Sequence, residues 1–452
     1  MLDKESLKIL LQSLEKLDAG FAVLPEFDAR VPGAQRVAET LAATAERLRD
    51  NYPYFHPLYA GQMLKPPHPV ARLAYALAQW INPNNHALDG GRATSAMERE
   101  AVAGIAELFG WKEHLGHLCG GGTMANLEAL WVAGQLAPGK KILASEQAHY
   151  THGRISGVLQ LPFATVPCDA RGRMDLVKLR EQIVRGDVGT VVATMGTTAT
   201  GSVDPLAEIL ELREKYGFRV HADAAYGGYF GLAGNLGEEA RRAFDHLHHV
   251  DSIVIDPHKH GLQPYGCGCV VFRDAGVGKL YKHDSPYTYF SSKEMHLGEI
   301  SLECSRPGAA AAALWATQKL LPLVKGGEFA RGLEDCRKAA MDLHQRLEKD
   351  ARFVTAFPPE LDIVVFAPRA DSVSESSERA RKIFEAAARR NLHLALAELP
   401  VQFFEANLGG MKKDRASLTC LRSVLMKPEH KEWVGRIWEI LSETTEEVLG
   451  KG

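Results

Sequence analysis

Apolar residues recur at helical spacing through the start of the chain, and this pattern marks one face of a helix. The leucines that share the spacing are Leu7, Leu10, Leu11, Leu14 and Leu17. Residues 1–50 are therefore predicted to form helices whose apolar face packs on another surface, such as a second subunit. The aromatic and proline-rich stretch 51–59 cannot be regular helix, and the helical pattern returns at 68–80.

Between about residues 100 and 270, helical patterns alternate with short apolar runs that are typical of buried strands. Helices are predicted at 98–109, 125–135 and 206–216. Strands are predicted at 141–144, 190–194, 219–222, 252–255 and 269–272, the last as a hairpin partner. This alternation predicts an α/β domain with a mostly parallel sheet flanked by helices. Ligands of such domains bind at the carboxyl ends of the strands.

An alanine-rich helix predicted at 307–325 links this region to a second set of elements. These elements are predicted as helices at 329–349, 375–390 and 429–448, and as strands at 362–366 and 418–424. The chain is long enough for two or three domains. We predict a helical arm with an extended segment at 1–60, a large α/β domain at 61–325 and a smaller α+β domain at 326–452.

Composition and charge favour a globular enzyme over a protein that binds nucleic acid or membranes. Of the 452 residues, 46% are hydrophobic and 24% are charged, and the net charge is −3, which is ordinary for a globular protein. Without a basic surplus, neither nucleic acid nor an anionic membrane is an expected partner. No apolar run is long enough to predict a membrane span, and the first residues do not have the pattern of a signal peptide.

The seven cysteines are scattered and form no CxxC pair. This usage predicts reduced thiols in a cytoplasmic protein, and no metal site is expected from it.

A lysine stands just after the predicted strand 252–255, in the sequence Asp256-Pro257-His258-Lys259, and a glycine-rich turn follows. Most lysines keep their ammonium group in water, so by itself Lys259 favours a surface role. A partly desolvated, cationic pocket would instead favour the neutral amine, which is the nucleophile that forms Schiff bases. Signals elsewhere in the chain favour this second interpretation.

Three of these signals follow predicted strands or precede a predicted helix. The sequence Gly120-Gly121-Gly122-Thr123 offers free backbone N–H groups and a hydroxyl at a helix start, which suits a phosphate. His149 could stack on a flat aromatic ligand, whereas the neighbouring His152 is equally compatible with an ordinary loop position. Asp223 is a carboxylate at a strand end, where burial demands a cationic or hydrogen-bonding partner.

The glycine cradle, the histidine, the aspartate and the lysine together suit a phosphorylated pyridine aldehyde. The phosphate would lie in the cradle and the ring between His149 and Ala225, with the ring nitrogen at Asp223 and the aldehyde carbon on Lys259. Thr198 could donate a hydroxyl hydrogen bond near the same place. This ligand is pyridoxal 5'-phosphate, whose enzymes combine a lysine Schiff base with an acidic partner for the ring nitrogen.

These motifs resemble the group II pyridoxal-dependent decarboxylases, within the aspartate aminotransferase superfamily of fold type I. The motifs that carry the resemblance are Gly120-Gly-Gly-Thr-Met-Ala-Asn126, Glu146-Gln-Ala-His149, Gly196-Thr-Thr198, His221-Ala-Asp-Ala-Ala-Tyr226, Asp256-Pro-His-Lys259, Glu303-Cys-Ser-Arg306 and Asp362-Ile-Val-Val-Phe366. The resemblance covers about residues 50–430.

The resemblance implies a homodimer whose active site is shared between the subunits. It implies that Lys259 forms the Schiff base, that Asp223 contacts the pyridine nitrogen and that His149 stacks on the ring. It also implies that Thr123, Thr198 and His258 belong to the shell around the cofactor. The proton donor of the family is a tyrosine on a mobile loop, and the segment 285–292 matches that loop only loosely, with Tyr289 or Tyr287 as the candidate.

The predicted reaction is decarboxylation of an L-amino acid to an amine and CO2. Asp256 stands where aromatic amino acid decarboxylases usually have asparagine, which is more similar to archaeal-type tyrosine and aspartate decarboxylases and to sphingosine phosphate lyase. The alternatives are a carbon–carbon lyase and an aminotransferase in which Arg422 holds the α-carboxylate. A non-enzymatic scaffold is disfavoured, because it needs none of the cofactor-binding residues. The identity of the amino acid stays open.

Overall fold

The structure, a computed structural model, describes residues 4–25, 33–282 and 296–450. Four helices precede the first strand, and the first two of them bury no residue against the rest of the described chain. Their bounds are α1 (Lys4–Ala19), α2 (Ala34–Leu48), α3 (Pro69–Gln79) and α4 (Leu88–Leu108). The helical arm that the leucine spacing predicts is therefore present. On its apolar face Leu7 and Leu11 are exposed, while Leu10, Leu14 and Leu17 are half-buried.

A sheet of seven strands forms the centre of the molecule, in the order β1-β7-β6-β5-β4-β2-β3. The strands are β1 (Leu115–Cys119), β2 (Lys141–Ser145), β3 (Phe163–Val166), β4 (Val188–Thr194), β5 (Arg219–Asp223), β6 (Ser252–Ile255) and β7 (Gly268–Phe272). Only β7 runs antiparallel to its neighbours, so the expected hairpin with β6 is present. The predicted α/β architecture with a mostly parallel sheet is confirmed.

Helices cover both faces of this sheet, as a buried parallel sheet requires. The helices of this part of the chain after β1 are α5 (Gly122–Leu136), α6 (Thr151–Val158), α7 (Leu176–Ile183), α8 (Leu206–Tyr216), α9 (Glu238–Asp245), α10 (Gly278–Tyr281) and α11 (Gly308–Leu320). Strand β4 is buried along its whole length, which explains its continuous apolar run.

The last part of the chain forms a second, antiparallel sheet of four strands in the order β10-β11-β9-β8. Its strands are β8 (Phe353–Thr355), β9 (Ile363–Pro368), β10 (Ala395–Pro400) and β11 (Ser417–Val424), and its helices are α12 (Glu328–Glu348), α13 (Val373–Arg389) and α14 (His430–Leu449). This is the α+β composition predicted for the C-terminal region. Among the described helices, none combines the length and the apolar character needed to cross a membrane.

Candidate active site

One cavity lies where the carboxyl ends of β1, β2, β4, β5 and β6 meet, as parallel α/β sheets predict. Its volume is about 510 Å³, and the loops after these strands line it. All predicted site residues that the structure describes line this cavity: Gly121, Gly122, Thr123, His149, Thr198, Asp223, Ala225, His258 and Lys259. Tyr289 and its alternative Tyr287 lie outside the described residues.

The glycine cradle forms the first turn of α5. Gly121 has a φ of +147°, a conformation that favours glycine. A Cβ on Gly122 would lie 2.7 Å from Oδ2 of Asp256, so only glycine fits without a shift of that carboxylate. No side chain caps the start of α5, and uncapped N–H groups together with the helix dipole attract an anion.

Lys259 is held by an acidic neighbour, and this differs from the cationic pocket that we expected. Its Nζ lies 2.9 Å from Oδ2 of Asp256, and Nε2 of His258 lies 3.5 Å from the same oxygen. Burial lowers the pKa of His258, although the charge of Asp256 opposes this effect. Asp256 is 2% exposed, so the lysine amine is fixed at the cavity wall by a buried carboxylate.

Asp223 ends β5 and is also buried. Its Oδ2 accepts a hydrogen bond of 2.8 Å from Nε2 of His152, and its Oδ1 accepts one of 3.1 Å from the N–H of Ala225. Burial alone would raise the pKa of Asp223, but the hydrogen bond from His152 and the charge of Lys259 hold it below its ordinary value. The carboxylate is therefore ionised at neutral pH and can accept a further hydrogen bond from a cationic ring.

His152, for which the sequence leaves open a site role or an ordinary loop position, contacts the candidate site through Asp223. It lies in the first turn of α6 and is fully buried. His149 lies just before α6, and the N–H of His152 donates a hydrogen bond of 3.2 Å to its carbonyl oxygen, so the two histidines share one turn of the chain. This contact has a physical reason, because a buried carboxylate needs a donor and His152 provides it.

His149 lies at the mouth of the cavity, and burial lowers its pKa, so its ring is neutral near pH 7. Its Nδ1 lies 2.9 Å from Oγ1 of Thr151, which fixes the orientation of the ring. A neutral, oriented imidazole can stack on a flat ligand. Thr198 lies at the same wall, where its carbonyl oxygen accepts a hydrogen bond of 2.6 Å from Arg422.

Arg422, the carboxylate-binding residue of the aminotransferase alternative, donates hydrogen bonds to backbone carbonyl oxygens instead. The guanidinium is 4% exposed and donates to the carbonyl oxygens of Thr198, Ala199 and Gly61. These bonds join β11 of the small sheet to the loop after β4. They support the structural role of Arg422 over the aminotransferase interpretation.

The residues around the cavity fit pyridoxal phosphate. Three buried polar atoms of its wall have no hydrogen-bond partner within the described residues, namely Oγ1 of Thr194, Oδ1 of Asp256 and Nδ1 of His258. Such atoms are rare in native proteins unless a ligand or water satisfies them. The uncapped helix start suits the phosphate, the Asp223 carboxylate suits the pyridine nitrogen, and the Lys259 amine suits the aldehyde.

Comparison with known proteins gives the family. Residues 131–369 match the family model described as the pyridoxal-dependent decarboxylase conserved domain, which is more than half of the chain. The chain belongs to the pyridoxal-dependent decarboxylase family. This decarboxylase is 31% identical to a probable L-tyrosine/L-aspartate decarboxylase of Methanothermobacter thermautotrophicus, with 72% of this chain and 86% of the relative covered. It is 30% identical to an L-tyrosine decarboxylase of Enterococcus faecium, with 63% of each covered.

Solved structures share the fold of this decarboxylase. The crystal structure of Oryza sativa TDC with PLP and tryptamine has a TM-score of 0.79 at 18% identity, with 99% of both chains covered. The crystal structure of Catharanthus roseus tryptophan decarboxylase in complex with L-tryptophan has a TM-score of 0.74 at 17% identity, again with 99% of both covered. These similarities confirm the predicted fold type I.

This protein is therefore a pyridoxal-phosphate-dependent amino acid decarboxylase. The predicted family, reaction class and cofactor are confirmed, and decarboxylation is favoured over transamination and carbon–carbon cleavage. The roles of the individual residues remain predictions.

Proposed function

We propose that this decarboxylase releases CO2 from L-tyrosine or L-aspartate, with Lys259 holding the cofactor as a Schiff base. The observation that carries the proposal is one cavity that presents the Lys259 amine and the ionised Asp223 carboxylate together. The names of the relatives support these two substrates. Asp256, which pairs with Lys259, also agrees with the tyrosine and aspartate branch of the resemblance.

When bound, pyridoxal phosphate supplies an acceptor for the electron pair that remains when CO2 departs. The chain's own residues bind and orient it. Gly121, Gly122 and Thr123 would hold the phosphate at the start of α5, and His149 and Ala225 would enclose the ring.

The remaining residues control charge and protons. His152 keeps Asp223 ionised, so that this carboxylate can accept a hydrogen bond from the ring nitrogen and stabilise its protonated form. His258 and Thr198 complete the wall of the cavity. The proton that returns to Cα comes from Tyr289, His258 or Lys259, which are the candidates for a general acid.

Two measurements test this proposal. Borohydride reduction of the enzyme with its cofactor should attach the cofactor to the peptide that contains Lys259, and label on a different lysine would contradict the assignment. A panel of L-amino acids, read by CO2 and amine formation, should give the highest kcat/KM with tyrosine or aspartate. One keto acid formed for each amino acid consumed, without CO2, would favour transamination instead.

We also propose that the enzyme is a homodimer whose subunits complete each other's active sites. The apolar side chains of the arm support this, because several of them are exposed: Leu7, Ile9, Leu11, Val37, Leu41 and Leu48. An amphipathic helix needs a partner for its apolar face, and closed twofold symmetry is the commonest solution.

The division into domains at 1–60, 61–325 and 326–452 is part of the same proposal. It is supported by the position of the large sheet within the second segment and of the small sheet within the third. Limited proteolysis should cut first near residues 60 and 325, and initial cleavage inside either sheet would contradict the division.

The proposed location is the cytoplasm, because all seven cysteines are free thiols and six of them are buried. Oxidising compartments favour disulfides. Recovery of the native protein from an extracellular fraction would contradict this location.

A further inference from the structure

A buried carboxylate just before a strand of the small sheet contacts a residue that lines the active-site cavity. Asp362 precedes β9 and is fully buried. Its Oδ1 accepts a hydrogen bond of 2.6 Å from the hydroxyl of Tyr226. Its Oδ2 lies 3.2 Å from Nε2 of His260, which is ion-pair distance without the alignment of a hydrogen bond. One carboxylate thus contacts two side chains from the loops that follow β5 and β6.

Both partners of Asp362 are direct neighbours of proposed cofactor-binding residues. Tyr226 follows Ala225 and lines the cavity, and His260 follows Lys259. The rings of Tyr226 and His260 meet edge to face, with centroids 4.9 Å apart. Asp362 therefore connects the loop after β5 to the loop after β6, at the two places where the cofactor's ring and its lysine would be held.

The electrostatics of this contact require an ionised Asp362. Burial alone would raise its pKa, but His260, the Tyr226 hydroxyl and Lys65 hold it below the ordinary value. Burial lowers the pKa of His260, and the charge of Asp362 opposes this effect. A charged Asp362 thus relies on the Tyr226 hydroxyl as its short, aligned donor, and the loss of either partner leaves the other buried and unpaired.

The two residues before Asp362 pack against the loops that form the cavity wall. Leu361 is fully buried, and its Cδ1 lies so close to Gly196 and Gly227 that a Cβ there would be within 3.0 Å of it. Glu360 accepts a hydrogen bond of 2.6 Å from the N–H of Val203. The segment Glu360 to Asp362 is therefore anchored, which gives Asp362 a fixed position.

We propose that Asp362 is a positioning residue of this decarboxylase: its carboxylate holds Tyr226 and His260, and through them the backbone that presents Ala225 and Lys259 to the cofactor. This inference rests on the proposed function of those two residues. Asp362 itself does not line the cavity, so it acts through its neighbours and not on the substrate.

A double-mutant cycle tests the proposal on the enzyme with its cofactor. The variants are Asp362→Ala, Asp362→Asn, Tyr226→Phe and the double variant of Asp362→Ala with Tyr226→Phe. We measure kcat and KM, the visible circular dichroism of the bound cofactor and its dissociation constant, and the unfolding temperature without cofactor. Each single removal of the contact should lower kcat about 10-fold with KM within about 3-fold, and change the dichroism band. The double variant should lose no more than the larger single loss, because coupled partners are not additive.

A matched control separates positioning from general loss of stability. Asp251 accepts a hydrogen bond of 2.8 Å from the N–H of Val220 and pairs with Arg273 at 3.3 Å, at the opposite end of the sheet. Asp251→Asn should lower the unfolding temperature but leave kcat and the dichroism band within about 2-fold of the wild type.

Three results would overturn the proposal. They are a kcat within 2-fold of wild type in Asp362→Asn and Asp362→Ala, fully additive losses in the cycle, or an equal loss in Asp251→Asn at an equal unfolding temperature. If Asp362→Ala does not fold, the cycle is run with Asp362→Asn. If borohydride attaches the cofactor of the wild type to a lysine other than Lys259, the proposed function is contradicted instead. The dichroism of the Asp362 variants, compared with that of the wild type, still tests whether Asp362 positions the cofactor.

Discussion

The carboxylate of Asp223 is buried in the cavity wall, and its charge is stabilised there chiefly by His152. A buried charge is stable only with hydrogen bonds or a counter-charge. His152 donates the short bond of 2.8 Å to Oδ2, while the N–H of Ala225 serves Oδ1. The activity of the cofactor should depend on this pair, because a protonated ring nitrogen needs an ionised acceptor.

The first prediction concerns His152→Ala. Loss of a hydrogen bond to a buried charge should lower the free energy of unfolding by about 1.5–3 kcal/mol. It should also lower kcat, because Asp223 loses the donor that keeps it ionised. Urea unfolding and CO2 release measure the two effects. The control is His246→Ala, because His246 is exposed and its Nδ1 lies 2.8 Å from the carbonyl oxygen of Arg242. Unchanged stability and activity in His152→Ala would contradict the role of His152.

The second prediction concerns Asp223→Ala, which removes the acceptor itself. Because Asp223 acts on the electronics of the ring while phosphate and lysine contacts remain, kcat should fall by far more than the affinity for the cofactor. Steady-state kinetics and a cofactor titration give the two values. A variant that loses cofactor affinity and kcat to the same degree would show that Asp223 serves binding alone.

The third prediction is a pH dependence that belongs to Asp204. This buried carboxylate accepts bonds of 2.7 Å from the N–H groups of Met174 and Thr194, yet burial raises its pKa to about 7. Since the folded pKa lies above the unfolded value, the folded state binds the proton more tightly. This contribution to stability is complete below about pH 4 and is lost as the pH rises through 7.

Asp204→Asn removes this titration. The difference in the free energy of unfolding between wild type and variant should therefore change between pH 4 and pH 7, by at most about 1.4 kcal/mol per pH unit. Urea unfolding at several pH values measures it. A difference that stays constant over this window would show that Asp204 is ionised in the folded protein throughout.

At the level of single residues, the sequence predicts which polar residues lie directly after a strand and so at the edge of the sheet where ligands bind. Asp223 and Lys259 each follow an apolar run, and His149 follows β2, so their convergence at one edge of the sheet could be expected. His152 could not be assigned, because its partner Asp223 is 71 residues away. Asp256 stands out in the sequence as a departure from a family pattern, but its pairing with Lys259 depends on the turn that brings Nζ back to the carboxylate.

At the level of elements, the start of α5 combines a glycine cradle with an uncapped helix end. The fourth prediction is that Gly122→Ala weakens cofactor binding. The new Cβ would lie 2.7 Å from Oδ2 of Asp256 and would displace the partner of Lys259. The displaced turn should cost the bound phosphate one charge-assisted bond at the start of α5, about 1.5–3 kcal/mol. This loss corresponds to roughly a 10- to 100-fold higher dissociation constant of the cofactor, which fluorescence titration measures.

A second glycine provides the control for this substitution. Gly435 lies within α14, and a Cβ there would meet open space. Gly435→Ala should leave the cofactor's dissociation constant unchanged and raise the free energy of unfolding by roughly 0.5–1 kcal/mol, because alanine is the better helix former. Equal cofactor affinity in both variants would contradict the proposed role of the glycine cradle in holding the phosphate.

Elements with a strong period could be predicted, and those defined by distant partners could not. Helices α8, α12 and α14 and strands β4 and β6 stand close to their expected positions. Strand β1 was missed, because its sequence contains Gly116 and the polar His117. His117 is nevertheless fully buried, since its Nε2 lies 2.9 Å from Oε2 of Glu128 on α5, and no periodicity reveals such a partner.

At the level of the whole molecule, the N-terminal arm has apolar side chains that the described residues of one chain do not bury. Helix α2 buries none of its residues, although Val37, Leu41 and Leu48 share one face. The sequence predicts an apolar face for the arm from the leucines of α1, and a partner for that face, because helical spacing is a local property; the face of α2 is added by the structure. The identity of the partner is not local, and it is the proposed second copy of the chain.

The fifth prediction tests that partner with Leu41→Glu. Leu41 is 62% exposed in the described chain, and burial of a leucine contributes about 1.5–3 kcal/mol. Twofold symmetry changes the interface twice, so the dissociation constant of the dimer should rise by roughly 100-fold or more. Analytical ultracentrifugation should show monomers at concentrations where the wild type is dimeric, and kcat per chain should fall with them, because each site needs the partner.

Ala43→Glu provides the matched control, since Ala43 is exposed two residues further along α2 and so lies on its opposite face. It adds the same charge to the same helix, and Arg47 at i+4 can pair with it. This variant should stay dimeric and active. A Leu41→Glu variant that remains as dimeric as Ala43→Glu would show that the apolar face of α2 lies outside the interface. A monomer with full kcat would show instead that one chain contains a complete site.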